Sequence, residues 1–154
     1  AISLKYGVPL IIDDRIDVAM AIDAEGVHLG AADMPIPIAR KILGPDKIIG
    51  ATAKTVPWAI EAYTQGADYL GVGAIYPTTT KVITVLTPTT TLREICGSVP
   101  IPVNAIGGLN AKNIDVLAGI PIAGICVVSA IMKSESPKQA TIELKEKAKV
   151  LKII

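Results

Sequence analysis

The sequence predicts an α/β fold: a parallel sheet of the TIM (β/α)8-barrel type, with six of the eight strand-helix units visible in its 154 residues. Three observations lead there. Short apolar runs recur at near-regular intervals, each of a length that suits one buried strand. The segments between them carry helical spacing, and such alternation gives a parallel sheet with helices outside. Polar residues and glycines cluster just after the strands, at Asp13 and Asp14, Asp33, Thr52, Thr78 to Lys81, Gly107 and Gly108, and Ser129. That is the end of a barrel where active sites form.

"VPLII" reads as the first strand and leads into Asp13 and Asp14 ahead of "VAMAI". The two carboxylates read either as a magnesium site or as a helix N-cap pair, and alternation lets only one of them face the barrel interior. "GVHLG" is the second strand. His28 sits inside it between Val27 and Leu29 and reads as structural, with acid–base duty left open by the near-neutral titration of imidazole. Asp33 follows, ahead of the prolines that start a helix in "DMPIPIARKIL". It too reads as a cap, or as a partner of the first strand-end carboxylate around one hard cation whose shell phosphate oxygens complete.

"KIIGAT" is the third strand, and "TVPWAIEAYTQG" the helix after it. Thr55 is the expected N-cap, Pro57 lies in the first turn, Ala59, Ile60, Ala62 and Tyr63 point inward, and Gly66 stops the helix. "DYLGVGAI" is the fourth strand, followed by "YPTTTK". Its threonine hydroxyls can donate to phosphate oxygens with a lysine to balance charge, or the segment is a Pro-Thr turn. "IPVNAIGG" and "GICVVSA" complete the set. The glycine pair suits both a turn capped by Asn110 and a phosphate cradle, and Ser129 at a helix start suits a cap, a phosphate donor, or both. Eight units usually need about 250 residues, or about 200 in compact cases, so residues 1–154 read as one domain without its first two units.

Composition narrows the chemistry. A content of 51% hydrophobic residues can fill a sizeable core, while a net charge of +1 and 3% aromatic residues provide neither the basic field nor the stacking platform of a nucleic-acid binder. No apolar run approaches the roughly 18 residues of a membrane span. Cys96 and Cys126 lack metal-ligand spacing, and a reducing cytoplasm is expected. Small-molecule partners follow, and a homo-oligomer is compatible with the sequence.

The ordered set "PLIIDDRIDVAMAI", "GVHLG", "DMPIPIARKILGPDKIIGA", "GADYLGVGAIYPTTTK", "AIGGLNAKN" and "GICVVSAIM" closely resembles the thiamin phosphate synthase family, from about Gly7 to Met132. The resemblance implies a barrel transferase that joins 4-amino-2-methyl-5-hydroxymethylpyrimidine pyrophosphate to 4-methyl-5-(2-phosphoethyl)thiazole, giving thiamin phosphate and pyrophosphate. It implies Asp14 and Asp33 as ligands of Mg2+ on the pyrophosphate, with Asp13 where the family usually has an asparagine that contacts it. Thr52 matches a small hydroxyl position, usually serine. Thr78, Thr80 and Lys81 match a Pro-Thr-x-Thr-Lys loop in which Lys81 would neutralise the departing pyrophosphate, and Gly107, Gly108, Val128 and Ser129 would cradle the thiazole phosphate. A dissociative step is implied, pyrophosphate leaving before the thiazole nitrogen attacks.

Besides Asp13 in place of asparagine, the chain departs from the pattern in three places. The family's earlier Gln-x-Arg-x-Lys segment is not among these residues, so the 154 residues alone are expected to be a poor catalyst. Ala31 stands where glutamine is common, and residues 82–92 carry no charge where a charged loop is usual. Two other readings compete: a thiazole tautomerase-like enzyme, and a catalytically incomplete phosphate-binding barrel fragment.

Overall fold

Six parallel strands pair in the order in which the chain makes them: β1 (Ile11–Asp13), β2 (Gly26–Leu29), β3 (Ile48–Ala53), β4 (Tyr69–Val72), β5 (Val103–Ile106) and β6 (Gly124–Cys126). The computed structural model describes residues 2–78 and 85–153. All six strands expected from the apolar runs are present, and among the described residues β1 and β6 form the two edges of a partly closed barrel.

The core lies between this sheet and its helices. Val27, Leu29, Ile49, Leu70, Val72 and Ala105 alternate along their strands and are all but fully buried. They face α2 (Ile16–Ala21), α3 (Ile36–Leu43), α4 (Val56–Thr64) and α5 (Thr89–Ser98), which contribute Ala19, Ala39, Ala59, Ala62, Leu92 and Ile95. The remaining helices are the short α1 (Ile2–Tyr6), α6 (Ser129–Met132) and α7 (Pro137–Val150), with a 3-10 turn at Ile114–Leu117. Strand residues of the opposite parity face the barrel interior.

Local sequence explains the element ends. Thr55 caps α4, its hydroxyl accepting from the Trp58 N–H, and the helix gives way before Gly66, which takes φ +98°. The inward set is smaller than expected. Ala59 and Ala62 are buried, but Ile60 and Tyr63 are 45% and 43% exposed. Of these four, only the two alanines lie on the seam against the sheet, where a small side chain lets the helix sit close.

The Arg40 guanidinium stitches consecutive units together. Its Nη1 donates to the carbonyls of Gly44 (3.2 Å) and Lys47 (2.5 Å), and its Nη2 to the Gly66 carbonyl (3.0 Å) and Asp68 Oδ2 (2.6 Å). The same Asp68 oxygen accepts from the Ile49 N–H at 2.7 Å. The end of α3, the start of β3 and the turn between α4 and β4 therefore share one cation.

Candidate active site

The carboxyl ends of the strands carry most of the residues that sequence analysis singled out, although Asp14 lines neither of the two cavities there. A cavity of about 240 Å3 opens there, lined by Asp13, Thr52, Thr78, Gly107, Gly108, Val128 and Ser129. A groove of about 440 Å3 adjoins it and is lined by Gly30, Ala31, Asp33, Trp58 and again Thr52. Its greater volume reflects an open channel between α3 and α4, whereas the smaller cavity collects most of the anticipated substrate contacts. Thr52 stands where the two meet. Thr80 and Lys81 lie outside the described residues.

The two carboxylate positions are built differently. Asp13 ends β1, while Asp14 takes φ +65° directly after it and donates its backbone N–H to the His28 carbonyl at 2.9 Å. Neither carboxylate caps α2, whose N-cap position is Arg15 without a side-chain capping bond. Asp33 does not cap α3 either. Its Oδ2 accepts from the Gly30 N–H at 2.6 Å, turning the carboxylate back toward the end of β2, and Pro35 holds the N-cap position. The helix-cap alternatives for Asp14 and Asp33 are thereby replaced by strand-end turns.

The glycine pair is held by the loop after β4. Ile75 and Tyr76 donate their N–H groups to the carbonyls of Ile106 and Gly107, both at 3.0 Å, which extends the β4–β5 pairing into the mouth. Gly107 and Gly108 take φ +101° and +65°, and a Cβ on Gly108 would lie 2.7 Å from the Pro77 carbonyl. After residues 79–84, Thr87 is buried, its hydroxyl donating to the Gly73 carbonyl and its N–H to the Ala74 carbonyl. Asn110 accepts from the Lys112 N–H, so it caps a turn, and the 3-10 segment begins only at Ile114. Ser129 is the first residue of α6, as expected of a helix start, but the N-cap position falls on Val128 with no side-chain capping bond, so the serine is not the cap.

Two residues at this mouth escaped the sequence reading. Lys54 lines the cavity, one residue past the end of β3, and brings a cation beside Thr52. Its signal was the "TAK" that closes the third strand. Tyr69 lies deeper. By strand register Asp13, His28, Gly50 and Tyr69 occupy one level of the barrel interior. His28 Nδ1 lies 3.1 Å from the Tyr69 hydroxyl, and its Nε2 lies 3.0 Å from Thr52 Oγ1. Burial, with smaller contributions from Cys126 and Asp13, pushes the Tyr69 hydroxyl up to about 12, and burial also raises the Cys126 thiol.

The fit to a hard divalent cation can be judged from the donors. Among the described residues no group of three or more His, Cys, Asp or Glu side chains converges. Asp14 and Asp33 follow neighbouring strands, and two carboxylates are too few for an all-protein cage, so any hard cation held there would need water or phosphate oxygens to complete its shell.

Comparison with known proteins agrees with this geometry. The family model described as thiamine monophosphate synthase matches residues 1–131. The chain is 56% identical over 136 residues to thiamine-phosphate synthase 2 of Streptococcus pneumoniae, covering 88% of this chain and 65% of that protein. It is 50% identical over 140 residues to the thiamine-phosphate synthase of Clostridium tetani, covering 91% and 67%. The solved thiamine phosphate pyrophosphorylase of Pyrococcus furiosus superposes with a TM-score of 0.89 at 42% identity, over 97% of this chain and 71% of that one. The chain thus spans a little under two thirds of the pneumococcal relative. With a family model matching residues 1–131 and these identities over most of its length, the chain belongs to the thiamine monophosphate synthase family.

Proposed function

We propose that this chain carries the pyrophosphate-releasing alkyl transfer of its family, joining the hydroxymethylpyrimidine pyrophosphate to the thiazole phosphate. The observation that carries the reading is one mouth in which Asp13, Thr52 and Thr78 line the same cavity as Gly107, Gly108 and Ser129. A reaction between two phosphorylated partners needs two anion sites in one space.

The transfer breaks the bond between the pyrimidine methylene carbon and the pyrophosphate oxygen, which leaves with the electron pair. A new carbon–nitrogen bond then forms to the thiazole nitrogen. Charge stabilisation on the leaving group and alignment of the second substrate matter more here than a strong base. Gly107, Gly108 and Ser129 hold the thiazole phosphate, with Val128 closing the wall beside it. Thr52 and Thr78 contact the pyrimidine substrate, and Lys54 adds positive charge on the same side. Asp14 and Asp33 would hold magnesium, which when bound supplies positive charge to the pyrophosphate. Lys81 would assist from the "PTTTK" segment. The free thiols of Cys96 and Cys126 suit a reducing cytoplasm.

The test is incubation of the protein, together with any segment that precedes Ala1, with both substrates and magnesium, scored by formation of thiamine phosphate; the 154 residues by themselves are expected to turn over slowly. Calorimetry isolates the metal assignment: Asp14→Ala and Asp33→Ala should each abolish the magnesium-dependent gain in pyrophosphate affinity. Unchanged gain in both variants would reject the shared cation.

A further inference from the structure

Three side chains inside the barrel form a continuous hydrogen-bonded line, from Tyr69 through His28 to Thr52. They come from three adjacent strands, β4, β2 and β3, and meet because Gly50 and Gly71 clear the space between them. A Cβ on Gly50 would lie 2.1 Å from the Tyr69 ring, and one on Gly71 would lie 3.0 Å from His28 Cε1. The two rings lean over Gly50 with centroids 5.5 Å apart and planes tilted by 36°. Only the far end of the line, Thr52, reaches the mouth.

We propose that Tyr69 is a positioning residue which, through His28, fixes the Thr52 hydroxyl as a hydrogen-bond donor toward ligands in the mouth. A neutral imidazole has one donor and one acceptor nitrogen, so with a hydroxyl at each the line runs in one of two directions. A phenol is a stronger donor than an aliphatic alcohol and a poorer acceptor, because its lone pair is shared with the ring. Tyr69 therefore donates its O–H hydrogen bond to His28 Nδ1, His28 donates its Nε2–H to Thr52 Oγ1, and the Thr52 O–H is directed outward. The reverse direction would turn oxygen lone pairs toward a mouth that, on the proposed function, receives anionic substrates. The inference rests on that reading for the ligand, and on the geometry alone for the direction.

His28 is the one histidine of the sequence, so its ring nitrogens can be read without assignment ambiguity. In a long-range proton–nitrogen NMR spectrum of the ligand-free protein, Nε2 is expected to carry the proton and Nδ1 to be bare. Tyr69→Phe should abolish that single-tautomer pattern. It should also weaken binding of the pyrimidine pyrophosphate by about 2- to 10-fold, the worth of one ordinary hydrogen bond. In a Thr52→Val background the same change should have no further effect, whereas a merely structural role would add to the loss. A protonated Nδ1 or a doubly protonated ring in the wild-type protein overturns the proposal, as does an unchanged tautomer in Tyr69→Phe or additive losses. Failure of the wild-type chain to bind the pyrimidine counts against the proposed function, while the tautomer still decides the relay. That spectrum requires no variant to fold.

Discussion

Replacing Gly108 by alanine should damage the mouth through two separable effects. Gly108 takes φ +65°, a conformation that costs an L-residue roughly 1 to 2 kcal/mol. The new methyl would also lie 2.7 Å from the Pro77 carbonyl oxygen, 2.7 Å from Tyr76 Cβ and 2.9 Å from the Tyr76 carbonyl oxygen. Two of these are backbone atoms, so a segment must move, and overpacking of this kind adds roughly 1 to 3 kcal/mol. Gly119 supplies the control: φ is +72° there, but a Cβ would meet nothing within 4 Å. Urea denaturation should show Gly108→Ala losing roughly 2 to 5 kcal/mol and Gly119→Ala only the conformational share of roughly 1 to 2. Because Thr78 and Gly108 line one cavity, the displaced loop should also weaken thiazole phosphate binding more than Ser129→Ala does, a change limited to about one hydrogen bond. Equal losses at positions 108 and 119, together with unaltered phosphate affinity in a calorimetric titration, would refute this account of the turn.

Other consequences are as direct. Arg40→Met should lower stability by roughly 2 to 4 kcal/mol, since a partly buried cation bonded to several carbonyls is lost, and Arg40→Lys should recover less than half because an ammonium cannot span them. Urea midpoints check this, and a methionine variant as stable as the parent would contradict it. Tyr69 should be the last tyrosine to ionise in an ultraviolet titration, near its raised value of about 12. Its folded pKa exceeds the unfolded value of about 10, so its contribution is fully present below pH 10 and lost as pH rises toward 12. Tyr69→Phe should remove that part of the alkaline stability loss, which denaturation at several alkaline pH values would detect.

The inner strands were legible because they are buried on the helix side, with glycines facing the barrel interior in β2, β3 and β4, leaving short apolar runs such as "KIIGAT" and "DYLGVG". Mouth residues were legible because polar groups after a buried strand stand out. What stayed hidden depends on register. His28 and Tyr69 are 41 positions apart and meet only because each pairs across Gly50. Nothing local announces that, although Gly50 and Gly71 mark where bulk from neighbouring strands is accommodated. The misjudged faces of Ile60 and Tyr63 have a different cause: helical spacing defines a stripe but not its width, and α4 buries only Ala59 and Ala62, with Val56 packed partly against the core. α7 escaped separate notice because its 14 residues are rich in lysine and glutamate and bury only Leu144 and Ala148.

The strand order has a kinetic side. Every ladder joins strands that are consecutive in the chain, with a single helical or loop segment between them, so closing each pairing sacrifices little chain entropy. An early pair such as β2 and β3 offers a template to the next strand on either side. Interior ladders are supported from both flanks and edge ladders from one. Loss of order should therefore travel inward from β1 and β6, leaving β3 and β4, which hold Thr52 and Tyr69, as the last part of the molecule to come apart.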